Sequence, residues 1–160
     1  MNQKELAIYL NDHLALIVGE LELLKRVHKE NEKEPLGVLL SRLLAETSQQ
    51  EAALRVLLER VDVAENRLKQ AAAWLAEKAG RFKLNGAVTE YSDLSRLVEV
   101  EALVVAAMSR VNLWATLSET LSHDEQFRGG NFDHLADQAK RHADELHQQR
   151  KAAASRALRA

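Results

Sequence analysis

The sequence predicts an all-α protein, a four-helix up-down bundle, on three observations. Apolar residues recur at three- and four-residue steps over long stretches, the signature of amphipathic helices. Helix breakers are scarce, with one proline and six glycines in 160 residues. Ala, Leu, Glu, Arg and Lys dominate, which favours long helices. Aromatic residues, at 4%, are too few for a β-sandwich core or an aromatic-lined cofactor cleft.

The first helix is expected over residues 3–29. Asn2 is a good N-cap with Glu5 three residues on, and Leu6, Leu10, Leu14, Ile17, Leu21 and Leu24 form one stripe. The charged run 29–34 ends it. The second helix, 35–61, starts on Pro35, which suits a first helical position. Its apolar face is Leu36, Leu39, Leu40, Leu43, Leu54, Leu57, Leu58 and Val61.

A shorter helix is expected over 63–80, between a capping box at Asp62 and Glu65 and a stop at Gly80. Asn85-Gly86 then reads as a turn. The third long helix, 92–121, starts on Ser92 and carries a stripe read as Leu94, Leu97, Val98, Val104, Met108, Val111 and Ala115. After a loop hinged at Gly129-Gly130, Asn131 can cap a last helix over 131–157, with Asp133 and Asp137 early and Arg150 and Arg156 late, as the helix dipole prefers.

Helices of this length are about 40 Å long at 1.5 Å rise per residue. Connections that are short, long and short suggest a ferritin-like topology, with helices 2 and 3 parallel and the short extra helix in the long crossover. A five-helix up-and-down array is the alternative. Residues 1–160 are read as one domain, a length that can bury a sizeable core.

Composition narrows the chemistry. Without cysteine there are no disulfides, thiolate metal ligands or cysteine nucleophiles. A net charge of −2 argues against a dedicated nucleic-acid binder. No secretory signal and no apolar run of membrane-spanning length are read from the sequence, so a cytoplasmic location is expected. There is no Gly-rich phosphate loop followed by Lys-Ser/Thr.

The segments Tyr9-Leu-Asn-Asp-His-Leu-Ala15, Ala73-Trp-Leu-Ala-Glu-Lys-Ala-Gly-Arg-Phe-Lys-Leu-Asn-Gly86 and Leu94-Ser-Arg-Leu-Val-Glu-Val-Glu-Ala-Leu103 resemble a group of small bacterial proteins treated as ferritin-like helical bundles without an assigned activity. The resemblance spans residues 9–117. It implies a fold and carries over no functional residues.

Di-iron bundles of this topology take a Glu from each of two helices and Glu-x-x-His from each of the other two. Here Glu46-Thr-Ser-Gln49 lacks the His, and Asp144-Glu-Leu-His147 lacks the Glu and faces away from the stripe of Leu135, Ala139, His142 and Leu146. The standard motif is absent. A different polar set lies on or beside the apolar stripes: His13, Glu20, Glu46, Glu101 and His142, with Thr47 and Gln50. Glu101 is expected to face inward, since it sits between Leu97 and Val104.

Buried carboxylates need partners or a metal. These residues therefore read as a satisfied polar cluster or, alternatively, as ligands for iron or another divalent metal in a protein of oxidative function. No cofactor is expected on the first reading. Lys69, Trp74, Lys78, Arg81 and Lys83 in the crossover form a second candidate, a basic surface for docking, or else a helix that packs Trp74 while its lysines meet water. The leading expectation is a non-catalytic bundle that acts as an interaction or structural module, with a homodimer or another protein as partner.

Overall fold

The structure, a computed structural model, describes residues 2–61 and 91–159. All regular structure among these residues is helical: α1 (Gln3–Glu30), α2 (Pro35–Arg60), α3 (Asp93–Leu121), a single 3-10 turn (Glu125–Phe127) and α4 (Phe132–Leu158). The expected helix at 63–80, and with it Lys69, Trp74, Lys78, Arg81 and Lys83, lies outside the described residues.

Local chemistry accounts for the helix starts. The Asn2 side chain accepts from the Glu5 N–H, Pro35 opens α2, and the Ser92 hydroxyl accepts from the Ser95 N–H. Each satisfies or removes a donor that the first turn of a helix leaves unpaired. Asn131 holds the position before α4, but its side chain makes no capping bond. The tight link between α1 and α2 is built on Asn31, which is fully buried and donates to the Val27 carbonyl. A Cβ on Gly37 would fall 2.3 Å from the Asn31 carbonyl oxygen, so this crossing needs glycine.

The apolar faces meet in two clusters stacked along the helix axes. Leu36, Leu40 and Leu43 of α2 share one cluster with Val100, Leu103 and Ala107 of α3. Leu54, Leu57 and Val61 share the other with Leu113, Leu117 and Leu121. Start packs level with start and end with end, so α2 and α3 run in the same direction. Leu24 and Val27 of α1 join the first cluster, and Ala7, Leu10 and Leu14 the second. α1 therefore runs opposite to both. Ala139 of α4 lies in the second cluster, and Ala143 and Leu146 lie in the first, which makes α4 antiparallel to α3.

The expected face of α3 requires correction. Its buried residues are Leu97, Glu99, Val100, Leu103, Ala107, Arg110, Leu113, Trp114, Leu117 and Leu121. Leu94, Val98 and Met108, expected in the core, are exposed. Glu101 is exposed with them. The physical reason is that α3 is apolar on nearly every side, so periodicity alone does not fix its inward direction. By length and composition α3 is also apolar enough to cross a membrane, with a mean hydropathy of 1.3 over an 18-residue window of which only 39% is buried. The uninterrupted apolar run in the sequence is much shorter, because Glu101 and Arg110 bound it.

Candidate functional site

Between the two apolar clusters lies a buried polar network, and its centre is a cation. Arg110 of α3 is 1% exposed, the second-largest fully buried side chain among the described residues. Its Nε donates to Oε2 of Glu20 at 2.7 Å and its Nη2 to Oε1 at 2.8 Å. This is the two-pronged geometry that matches a planar guanidinium to an ionised carboxylate. Burial drives the Glu20 carboxyl upward and the guanidinium opposes it, with a net shift upward.

Gln50 of α2 completes the pairing. Its Oε1 accepts from Arg110 Nη1 at 3.0 Å and from the Trp114 indole N–H at 2.8 Å. Its amide donates to Gln138 Oε1 at 2.7 Å and to the Leu135 carbonyl at 3.3 Å. Both ends of the amide are thus used. Trp114 stacks on Phe132 with ring centroids 6.4 Å apart, which anchors the start of α4 beneath the network.

His142 of α4 links this centre to the surface. Its Nε2 lies 2.5 Å from Glu46 Oε2, and its Nδ1 lies 3.3 Å from both Nη1 and Nη2 of Arg110. Arg110 can only donate. Nδ1 must then accept, which leaves the proton on Nε2 to be donated to Glu46. Burial lowers the His142 pKa, the charge of Arg110 acts in the same direction, and the bond to Glu46 opposes them. Outermost, Arg42 lies 3.5 Å from Glu46 and 2.7 Å from Glu145. The network therefore ties together all four helices.

Of the residues singled out in the sequence, the structure joins Glu20, Glu46 and His142, together with Gln50. It leaves two out. His13 is half-buried, edge-on to Tyr9 at 4.5 Å and 3.5 Å from Ser109, and burial lowers its pKa. Glu101 faces away from the network, with Arg150 at 3.8 Å. Thr47 is buried nearby, and its hydroxyl finds no hydrogen-bond partner among the described residues. Arg110 was missed altogether. The signal was present in the three- and four-residue stripe Val100, Leu103, Ala107, Arg110, Trp114, Leu117 and Leu121, which one charge made easy to pass over.

The network has consequences for metal chemistry. Both Glu20 oxygens face a guanidinium, and both ring nitrogens of His142 are engaged. Among the described residues no three His, Asp or Glu side chains are grouped as ligands for one ion. A cation that entered would meet the positive charge of Arg110 where it needed donors.

A smaller polar group lies at the link between α1 and α2 and the start of α3. Asn31 donates to the Tyr91 hydroxyl at 3.0 Å and accepts from Arg96 Nε at 2.8 Å. Glu99 pairs with Arg26, and its second oxygen is buried without a partner among the described residues. Burial first, and then the Glu99 carboxylate, push the Tyr91 phenol up to about 12. The hydroxyl keeps its proton and serves as a structural contact. No family model, curated protein or solved structure matches the chain.

Proposed function

We propose that this chain is a non-catalytic helical bundle of ferritin-like topology that works as a structural or interaction module. The observation that carries the reading is Arg110. In a metal-dependent bundle the space between four helices is left to an ion held by carboxylates and histidines. Here a guanidinium fills that space and uses the same acceptors. The shared direction of α2 and α3 supports the topology. The saturated bonds of Gln50 and His142 support a network that holds helices in register rather than one that turns over substrate.

Metal content and metal-linked stability test this. Anything that binds only the folded state stabilises it by mass action. Purified protein should contain no stoichiometric transition metal. Its unfolding midpoint should be unchanged by chelator and by added Fe2+, Mn2+ or Zn2+. A chelator-sensitive midpoint that disappears in Glu46→Gln or His142→Gln would establish the metal-binding alternative instead.

A further inference from the structure

His142 is held from two sides by groups of opposite demand. Toward the core its Nδ1 meets Nη1 and Nη2 of Arg110, both at 3.3 Å, and toward the surface its Nε2 meets the Glu46 carboxylate at 2.5 Å. Only the neutral ring serves both, accepting at Nδ1 and donating at Nε2, because a guanidinium offers no acceptor. A second proton would point Nδ1–H at two N–H groups. The nearby amide oxygens are already engaged: Gln50 Oε1 by Arg110 and Trp114, and Gln138 Oε1 by Gln50. The charges around the ring are divided in the same way. On the inner side stands Arg110 of α3, with Glu20 of α1 behind it and held through both oxygens. On the outer side stand Glu46 and Arg42 of α2 and Glu145 of α4, two carboxylates to one guanidinium. The ring is fully buried but the Glu46 side chain is 26% exposed, so the ring lies one side chain from solvent.

We propose that His142 is an acid-operated switch: on taking up a proton its ring leaves Arg110, turns outward onto Glu46 and Glu145, and opens the seam between α2 and α4 to water while the bundle stays folded. This goes beyond the reading of the chain as a structural or interaction module and gives that module two folded states. Two features confine the change to the seam. Arg110 keeps both bonds to Glu20 and its bond to Gln50, so α1, α2 and α3 remain tied together. Flanking His142 on the buried side of α4 are Ala139 and Ala143, small residues, so turning the ring outward gives up little apolar contact. The space it vacates is bordered by the guanidinium of Arg110 and suits water, which needs polar partners. Burial and the charge of Arg110 hold the ring neutral, and Glu46 opposes them. The folded pKa is lowered, so the closed seam persists at and above the ordinary value of 6.5 and opens below it.

Trp114 reports the switch, since its indole N–H shares Gln50 Oε1 with Arg110. The chain has two tryptophans, so Trp74→Phe leaves Trp114 as the sole one. In that background, acrylamide quenching of Trp114 should rise about threefold, and reversibly, between pH 7.5 and 5.5 with helical circular dichroism unchanged. His142→Gln should abolish the rise, and His13→Gln should keep it. Glu46→Gln should move the midpoint to lower pH, because it removes the anion that favours the protonated ring. Should His142→Gln fail to fold, the Glu46→Gln midpoint decides alone. Four results would overturn the proposal: quenching that does not change with pH, a rise that survives in His142→Gln or vanishes in His13→Gln, a midpoint that Glu46→Gln leaves unmoved or raises, or a rise that comes only as circular dichroism is lost. The metal measurements are made at pH 7.5, where the seam is closed, so the two readings fail separately.

Discussion

Glu20 of α1 and Arg110 of α3 form a fully buried ion pair in which both carboxylate oxygens are gripped, at 2.7 and 2.8 Å. The pair joins two helices through residues 90 positions apart in the chain. Removing two charges from water costs several kcal/mol per ion, and their mutual attraction and extra hydrogen bonds offset this only when the geometry is good. The pair is thus better described as a constraint than as a reservoir of stability.

Breaking it from one side should be expensive. Arg110→Met leaves Glu20 buried without a counter-charge, a change that typically costs about 3–5 kcal/mol. Glu20→Leu with Arg110→Met should recover most of that loss. Denaturant unfolding of the two single variants and the double variant checks this. A double variant as unstable as Arg110→Met alone would show that the arginine acts mainly through Gln50 and His142.

Acid should loosen the fold through His142. Its folded pKa lies below the ordinary 6.5, so the unfolded chain takes up a proton first as the pH falls. The stability held by the neutral ring is therefore complete above about pH 6.5 and declines below it. The charges facing the ring are Arg110 and Arg42 against Glu46, and protonation would set two donors, Nδ1–H and the guanidinium, against each other. His142→Gln should flatten the fall in unfolding free energy between pH 7.5 and 5.5. His13 shifts in the same direction and remains in the variant, so some slope survives. Equal slopes in wild type and variant would refute the assignment.

Glu101→Leu distinguishes an outward from an inward carboxylate. Its partner Arg150 is 3.8 Å away at the surface, and such pairs contribute roughly 0–1 kcal/mol. The thermal midpoint should barely move, with or without chelator. A drop of several degrees that chelator abolishes would place Glu101 in a metal site and contradict its position.

Gly37→Ala should destabilise although alanine is the better helix former. The added Cβ meets the Asn31 carbonyl oxygen at 2.3 Å, and that atom belongs to backbone held by a buried turn. The helix-propensity gain is about 1 kcal/mol. Overpacking against a fixed neighbour costs about 1–3 kcal/mol, so the net loss should be visible in urea unfolding.

The helices were legible because their signals are local. The stripe of α1 through Leu10, Leu14, Ile17 and Leu21 is interrupted by polar residues on its other sides, so its buried face is unambiguous. Capping at Asn2 and Ser92 and the proline start of α2 depend on single residues in sequence context. The direction of α3 was not legible, because its outer line of Leu94, Val98, Val105 and Met108 is as apolar as its inner one. Glu20 and His142 could be placed from their own stripes. Their partner Arg110 could not, since a charged side chain is ordinarily assigned to water and the acid that draws it inward, Glu20, lies on another helix.

The uneven spacing of the partners of Arg110 along the chain bears on the order in which the protein folds. It meets His142 across 32 residues and Glu20 across 90. Closing the longer loop costs about 0.9 kcal/mol more in chain entropy. The α3–α4 hairpin should form early, with its guanidinium still wet. The α1–α2 hairpin then arrives as the piece that strips away that water. Variants at Glu20 should accordingly change the unfolding rate far more than the refolding rate, while variants at Leu117 or Leu146 slow refolding. A chevron series would show whether dehydration of one arginine is the closing act of folding.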